Sequence, residues 1–422
     1  MKVLHVIPDI NGGGASKGAY RIHQAVQAQG IQSEFLVLKK NRSDANAHLA
    51  YPAWRVWLER KRYKARERKL NQEINEFSTS NPALHSYGLI SHGLLSFINR
   101  SDADIVHLHW IIHMLTIEEI GQINKPIVWT FADMWPICGG EHYVLDDSPN
   151  ARFRAGYLTD NQPSYEQGPD YNRFAWERKR RYWNDQKFYI APCSQWLANC
   201  AKASPLFSNS HIEAINYPLD TTIFCPSPRH DARLYFGLPL NKKIILAGAT
   251  GGVNTLYKGG DLLHAALNHL AQDNHGDLVI ALFGEGPNPS SGDWPIPAYR
   301  LGAIHDEKTL AKLYAAADVF VMPSRQEAFG QVASEAQACG IPTVSFAHGG
   351  PLDIVEHQVT GWMAKPFDAT DLARGIDYLL NQQNCGADFA TASRTRAVKL
   401  FNLDWIGQKY CHLYEKSLLN KH

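Results

Sequence analysis

The sequence predicts an α/β protein built from two doubly wound, Rossmann-like domains in tandem. Three observations carry that prediction. At 422 residues the chain exceeds what one ordinary core holds. Short apolar runs alternate with helical stretches in two separate sets, the pattern of strand–helix–strand units. The stretch 318–342 is a strand, a glycine turn and a helix in succession, the unit from which such sheets are made.

The first set opens with a strand at 3–7, the loop Asn11-Gly12-Gly13-Gly14-Ala15, a helical pattern over 16–29 closed by Gly30, and a strand at 34–38. Its glycines lack the GxGxxG spacing with a helix-borne third glycine, so a dinucleotide fingerprint is weakly supported and a plain strand–helix turn also fits. Further strands are legible at 104–108, 126–130 and 188–191. The second set has strands at 244–247, 278–283, 298–301, 319–322 and 343–346, and a helix at 371–380. The tail places Phe401, Trp405, Tyr410 and Tyr414 at roughly helical spacing. Gly284-Glu285-Gly286-Pro287 reads as a turn at a strand end.

The most informative run is 323–342. The apolar stretch Val319-Phe320-Val321-Met322 reads as a buried strand. From Gly330 to Cys339, Val332, Ala336 and the small residues recur at helical spacing, and Gly340 with Pro342 ends the helix. A strand, a tight turn and a helix N-terminus together aim backbone amides and a positive dipole end at one spot, which suits a phosphate or a leaving diphosphate. Glu327 lies in the turn, and Glu335 lies about one and a half turns along the helix. Two ionised carboxylates would repel a diphosphate, so they are better suited to accept hydrogen bonds from sugar and ribose hydroxyls. A sugar nucleotide is the ligand that offers all these groups.

A Glu-x7-Glu run in this setting resembles the large retaining glycosyltransferase family of GT-B fold, the group 1 or family 4 enzymes of bacterial polysaccharide and lipid-sugar assembly. The resemblance implies two Rossmann-like domains facing a central cleft: residues 1–218 on the acceptor side, 219–402 binding the nucleotide sugar, and a last helix at 403–422 returning to the first domain. It assigns Glu327 to the donor sugar, the amides around Phe329, Gly330, Gln331 and Val332 to sugar and phosphate, and Glu335 to the ribose. Gly13 and Gly14 correspond to the loop that closes over the diphosphate or lines the acceptor cleft. Lys258, in Lys258-Gly259-Gly260, supplies a point charge for the diphosphate, and Ile304 stands where the family binds the base. Domain closure is then expected to exclude water.

The chain departs from the family pattern twice. Ala249 or Thr250 stands where an arginine is usual, and Ala132 stands where a histidine precedes the aspartate. Asp133 therefore remains as a catalytic candidate beside Glu327, with His109 and His142 as acceptor-side candidates. His107 and His109 share one face of a strand, either packed or lining the cleft, and no third ligand has helpful spacing for a metal. Asp102-Ala103-Asp104 imitates a metal motif of another glycosyltransferase fold but precedes a strand, at the wrong end for a cleft. The expectation is no obligatory metal and no cofactor, the nucleotide sugar being a substrate. The acceptor is expected to be a glycan or a lipid-linked sugar in surface polysaccharide synthesis. A nucleotide-sugar 2-epimerase, which would convert donor without acceptor, and a non-catalytic nucleotide-sugar-binding protein are the alternatives. The sugar, nucleotide, acceptor and linkage are not fixed by these residues.

Composition removes other classes. The 42 basic and 41 acidic residues nearly cancel and no nucleic-acid module is present, so nucleic acid is not an expected partner. The seven cysteines are odd in number and lack Cys-x-x-Cys spacing, which suits a reduced cytosolic location. The opening apolar segment is too short for a signal peptide, and no run approaches the roughly 18–20 apolar residues that span a bilayer. Two basic, aromatic-containing runs, 55–69 and 173–183, fit either a peripheral contact with an anionic membrane or charged helices whose aromatics pack inward.

Overall fold

The computed structural model describes residues 1–39, 46–51, 53–249, 251–253, 256–273, 277–284, 293–382 and 388–419. Thr250, residues 285–287 of the turn noted above, Cys385, and the side chains of Arg55, Val56, Trp57 and Arg60 lie outside the described part. Contacts divide the chain into a first unit, Met1–Asn216 with Ile406–His422, and a second, Tyr217–Trp405.

The strands of the first unit are β1 (Lys2–Val6), β2 (Gln32–Val37), β3 (Ala47–Leu49), β4 (Ser78–Thr79), β5 (Ile105–Leu108), β6 (Ile127–Phe131), β7 (Glu166–Gln167), β8 (Phe188–Pro192) and β9 (His211–Ile212). Its helices are α1 (Gly14–Ala28), α2 (Ala53–Glu73), α3 (Leu95–Arg100), α4 (Ile117–Gly121), α5 (Arg152–Ala155), α6 (Tyr171–Trp183) and α7 (Gln195–Ala203). Seven strands form one parallel sheet in the order β3-β2-β1-β5-β6-β8-β9, and β4 and β7 pair apart from it. Every residue of β5, β6 and β8 is buried, His107 and Thr130 included, as befits strands covered on both faces. The order reverses between β1 and β5, where such sheets open a crevice at their carboxyl ends.

The second unit contains β10 (Lys243–Gly248), β11 (Leu278–Phe283), β12 (Ala298–Arg300), β13 (Val319–Met322), β14 (Thr343–Phe346) and β15 (Gly361–Ala364), with α8 (Arg229–Phe236), α9 (Gly260–Asp273), α10 (Glu307–Ala316), α11 (Gln331–Ala338), α12 (Ala369–Gln382) and α13 (Phe389–Phe401). Its parallel sheet runs β12-β11-β10-β13-β14-β15. Ile245, Ile280, Val321 and Val344 meet Leu263 and Leu267 of α9 and Ile376 and Leu379 of α12 in one buried cluster. The last helix, α14 (Leu403–Leu419), packs on the first unit. Tyr410 and Tyr414 are fully buried there, 2.9 Å from Thr130 Oγ1 and 2.8 Å from His107 Nδ1 respectively. Gly407 lies so close to α1 that a Cβ would sit 2.5 Å from the Ala25 carbonyl oxygen.

Both tryptophans of 173–183 pack inward in α6: Trp176 and Trp183 are buried, as is Lys179, leaving Phe174, Arg180 and Arg181 exposed. In α2, Lys61, Arg62, Lys64, Arg66 and Arg68 are exposed while Tyr63 is buried. Among the described residues no helix is long and apolar enough to cross a membrane.

Candidate active site

The turn between β13 and α11 is shaped by three close contacts. Gly330 caps α11 at φ 99°, and a Cβ there would lie 2.9 Å from Met322 Cε, so the chain needs glycine to enter the helix at this angle. Phe329 is buried and packs edge-on against Tyr217 and Phe401, with ring centres 5.9 and 5.5 Å away. Gly350, beyond β14, donates its amide to the Glu327 carbonyl at 2.8 Å, and a Cβ on it would sit 2.3 Å from Phe329 Cα. Gly350→Ala should therefore displace the 327–330 turn; we expect roughly tenfold weaker nucleoside diphosphate binding, about 1.4 kcal/mol, in a calorimetric titration. Wild-type affinity would show that this turn does not hold the ligand.

The Glu327 side chain is fixed before any ligand arrives. Its Oε1 accepts from Lys258 Nζ and, at 3.2 Å, from Ser324 Oγ; both members of the ion pair are partly buried. Lys258 sits in a single 3₁₀ turn, Leu256–Lys258, immediately before α9. Arg325 holds that segment against the turn. Its guanidinium grips the Asp261 carboxylate at 2.7 and 2.5 Å and donates to the Leu256 carbonyl at 3.0 Å, and its amide donates to the Tyr257 carbonyl at 2.7 Å. The same hydrogen bonds hold the Asp261 carboxyl below its ordinary value. Nothing in the sequence signals Arg325, because its partners lie more than sixty positions away. It supplies a second cation near Lys258 where the family's usual arginine is missing, although it is committed to Asp261.

The other donor candidates occupy distinct places. Gln331 and Val332 form the first turn of α11, the part of a helix whose amides lack intrahelical partners. Glu335 is almost fully buried in α11, and the Tyr314 hydroxyl donates to its Oε2 at 2.9 Å. Ile304 lies half-buried between β12 and α10. Gly13 is the N-cap of α1 and Gly14 its first residue, both exposed in the first unit.

In the first unit, Asp133, His142 and His109 line one small pocket. Asp133 follows β6 and is pinned on three sides. Oδ1 accepts the Trp135 amide at 3.0 Å, while Oδ2 accepts Trp110 Nε1 at 2.9 Å and His142 Nδ1 at 2.6 Å. A carboxylate only accepts here, so the Nδ1 proton belongs to His142 and the Nε2 lone pair is left facing Ser86 Oγ at 3.2 Å. Ser86 was not among the sequence candidates.

His109 belongs to a different group. Pairing of β1 with β5 sets His5 opposite His107, and His5 Nδ1 approaches His109 Nε2 to 2.8 Å. The expectation that His107 and His109 lack a third imidazole is thus corrected: the ligand atoms of His5, His107 and His109 lie within 4.8 Å of one another. His5 escaped notice because it is 104 positions from His109 in sequence. Both His107 nitrogens are occupied, by Tyr414 and Thr130 at 2.8 Å each. Burial holds the three imidazoles neutral, pulling His109 down to about 3 and the others well below their usual range.

Residues 249–396 match the family model described as glycosyl transferases group 1. This segment is similar to the group 1 glycosyl transferases. A D-inositol 3-phosphate glycosyltransferase of Mycolicibacterium smegmatis is 33% identical over 195 residues, 43% of each chain. An uncharacterized glycosyltransferase of Methanocaldococcus jannaschii is 30% identical over 169 residues, 38% of this chain and 42% of that one. The matches thus span less than half the length of these relatives. Among solved structures, a sucrose-phosphate synthase from Thermosynechococcus elongatus aligns with a TM-score of 0.64 at 17% identity, covering 99% of this chain and 98% of its own. Anabaena HepE, solved in complex with UDP-glucose, aligns at 0.64 and 16% identity, covering 99% and 100%. At such identities the likeness establishes the fold, which is GT-B. The matched segment holds Lys258, Ile304, Glu327, Phe329, Gly330 and Glu335, whereas Asp133 and His142 lie outside it.

Proposed function

We propose that this protein is a retaining glycosyltransferase that moves a sugar from a nucleotide-sugar donor to a hydroxyl of a glycan or lipid-linked acceptor, in surface polysaccharide assembly. The observation that carries the reading is Glu327, held by Lys258 and Ser324 in a turn that leads directly into the N-terminus of α11. The donor diphosphate would sit at that helix end and draw Lys258 toward it, releasing the Glu327 carboxylate to accept a sugar hydroxyl. As the anomeric C–O bond breaks, charge builds on the departing phosphate oxygen, where Lys258 and the helix dipole stabilise it without a divalent ion. The acceptor proton passes to that oxygen and the new bond forms on the same face, so no protein base is required. The acceptor is assigned to the first unit. Membrane contact, if it is used, falls to the exposed basic side chains of α2.

A UDP-sugar is the first donor to try, because UDP-glucose is bound in the structure of HepE. Thermal unfolding with a panel of nucleoside diphosphates and nucleotide sugars, with and without chelator, tests the donor site. A ligand at about 100 times its dissociation constant adds about 2.7 kcal/mol of stability. The expected result is a nucleotide-selective shift that survives chelation, with diphosphate affinity roughly tenfold weaker in Lys258→Ala. No shift with any nucleotide would reject the donor reading, and full affinity in Lys258→Ala would reduce that lysine to a partner of Glu327. Conversion of donor in the absence of acceptor would favour the epimerase.

A further inference from the structure

A second cavity opens in the first unit where α2 faces the segments 85–90 and 111–115. Its walls are mainly apolar and aromatic, with Tyr63, Tyr87, Leu89, Ile90, Ile112 and Trp135 among them. Ser86 belongs to the same lining. The backbone fixes that residue on both sides: its amide donates to the Gly140 carbonyl at 2.7 Å, and its carbonyl accepts Trp135 Nε1 at 2.6 Å. Behind it stand His142 and Asp133, in the order Ser86 Oγ, His142 Nε2, His142 Nδ1, Asp133 Oδ2. With Asp133 setting the tautomer, His142 Nε2 accepts a hydrogen bond from the Ser86 hydroxyl. The oxygen lone pairs of Ser86 remain as an acceptor for a hydroxyl on a ligand in the cavity.

We propose that this cavity seats the non-reacting body of an amphiphilic acceptor, an apolar chain or ring joined to a hydroxyl-bearing head, and that the Ser86–His142–Asp133 chain receives a hydroxyl of that head. The assignment rests on the glycosyl-transfer reading for the word acceptor, but the binding site itself does not. A free sugar would leave the apolar walls uncovered, whereas a hydrocarbon alone would leave Ser86 without a ligand partner. A molecule with both parts satisfies the site. Ser86 touches the ligand, whereas Asp133 acts through His142 as a positioning residue.

Octyl and methyl β-D-glucopyranoside, titrated into the full chain below the micelle concentration of the former, separate the contributions. The octyl compound is expected to bind about tenfold or more tightly than the methyl one, from chain burial, with a change in tryptophan fluorescence because Trp135 lines the cavity. Leu89→Trp and, independently, Ile90→Trp fill the space and should abolish the octyl advantage, and unfolding temperatures close to wild type establish that each has folded. Ser86→Ala should weaken both glucosides by roughly fivefold, the worth of one hydrogen bond. Equal affinity for the two glucosides, or an octyl advantage unchanged in both tryptophan variants, overturns the proposal. The nucleotide titration is separate: an octyl response without any nucleotide response would reject the transferase reading and keep the cavity, and the reverse would reject the cavity alone.

Discussion

Glu327→Gln is expected to lower the transfer rate by about 10²- to 10³-fold while nucleoside diphosphate affinity stays at or above the wild-type value. Glutamine keeps the shape and can still accept from Ser324, so the turn should fold unchanged. It lacks the negative charge that balances developing positive charge at the anomeric carbon, and that interaction grows only as the bond breaks. Lys258 would also lose its ionic partner and become freer to meet a diphosphate. The check is steady-state kinetics with a donor found in the thermal panel, alongside calorimetric titration of its nucleoside diphosphate. Turnover equal to wild type would remove Glu327 from the chemistry. Loss of both rate and diphosphate affinity would make its role one of holding the turn together.

Lys179→Met should strongly destabilise the first unit, and it lies outside every candidate contact with substrate. The ammonium is fully buried in α6, over the Trp135 ring at 3.8 Å, and donates to three backbone carbonyls: Trp135, Cys138 at 3.0 Å and Gly139 at 2.8 Å. Those carbonyls belong to the segment joining Asp133 to His142. Methionine fills similar space but leaves the acceptors without a donor, at about 1–3 kcal/mol each, so a loss of at least about 3 kcal/mol is expected. For a unit of this size that is a fall of roughly 6–12 °C in Tm.

The same lysine carries a pH signature of fixed sign. Burial pulls its pKa from 10.5 to about 7, so between those values the unfolded chain holds a proton that the folded chain releases. The penalty for burying the charge is complete below pH 7 and is relieved as pH rises through the window. Wild-type stability should consequently gain a positive slope between pH 7 and 10 that Lys179→Met lacks. Urea unfolding of both proteins at pH 7 and pH 9 reads the difference, and parallel curves would show that the side chain keeps its proton inside the fold.

The 173–183 run shows how far sequence reading reaches. Arginine, lysine and tryptophan in one helix fit both a membrane-facing and an inward-packed arrangement, and spacing alone did not choose between them. Trp176, Lys179 and Trp183 share one buried face, and the carbonyls that accept from Lys179 come from a loop some forty residues earlier. The strands at 278–283, 319–322 and 343–346 were legible to the residue because they are buried on both faces and bounded by charge, glycine or proline. The short edge strands β3, β9 and β15 were not read, since their pairing depends on a neighbour and leaves little pattern of their own.

By itself the sequence determined what is local: two alternating α/β sets, the β13–turn–α11 unit, and the placing of Glu327 in that turn and Glu335 within the helix. Backbone preferences and apolar periodicity act over a few residues, so those features are written where they occur. Only the tertiary structure decided which distant groups meet. Arg325 reaches Asp261 across 64 positions, Ser86 reaches His142 across 56, and His5 reaches His109 across 104. Such pairs exist because parallel strands and their crossovers return the chain to one sheet, and a hydrogen bond between side chains registers the distance in space, not the separation along the chain.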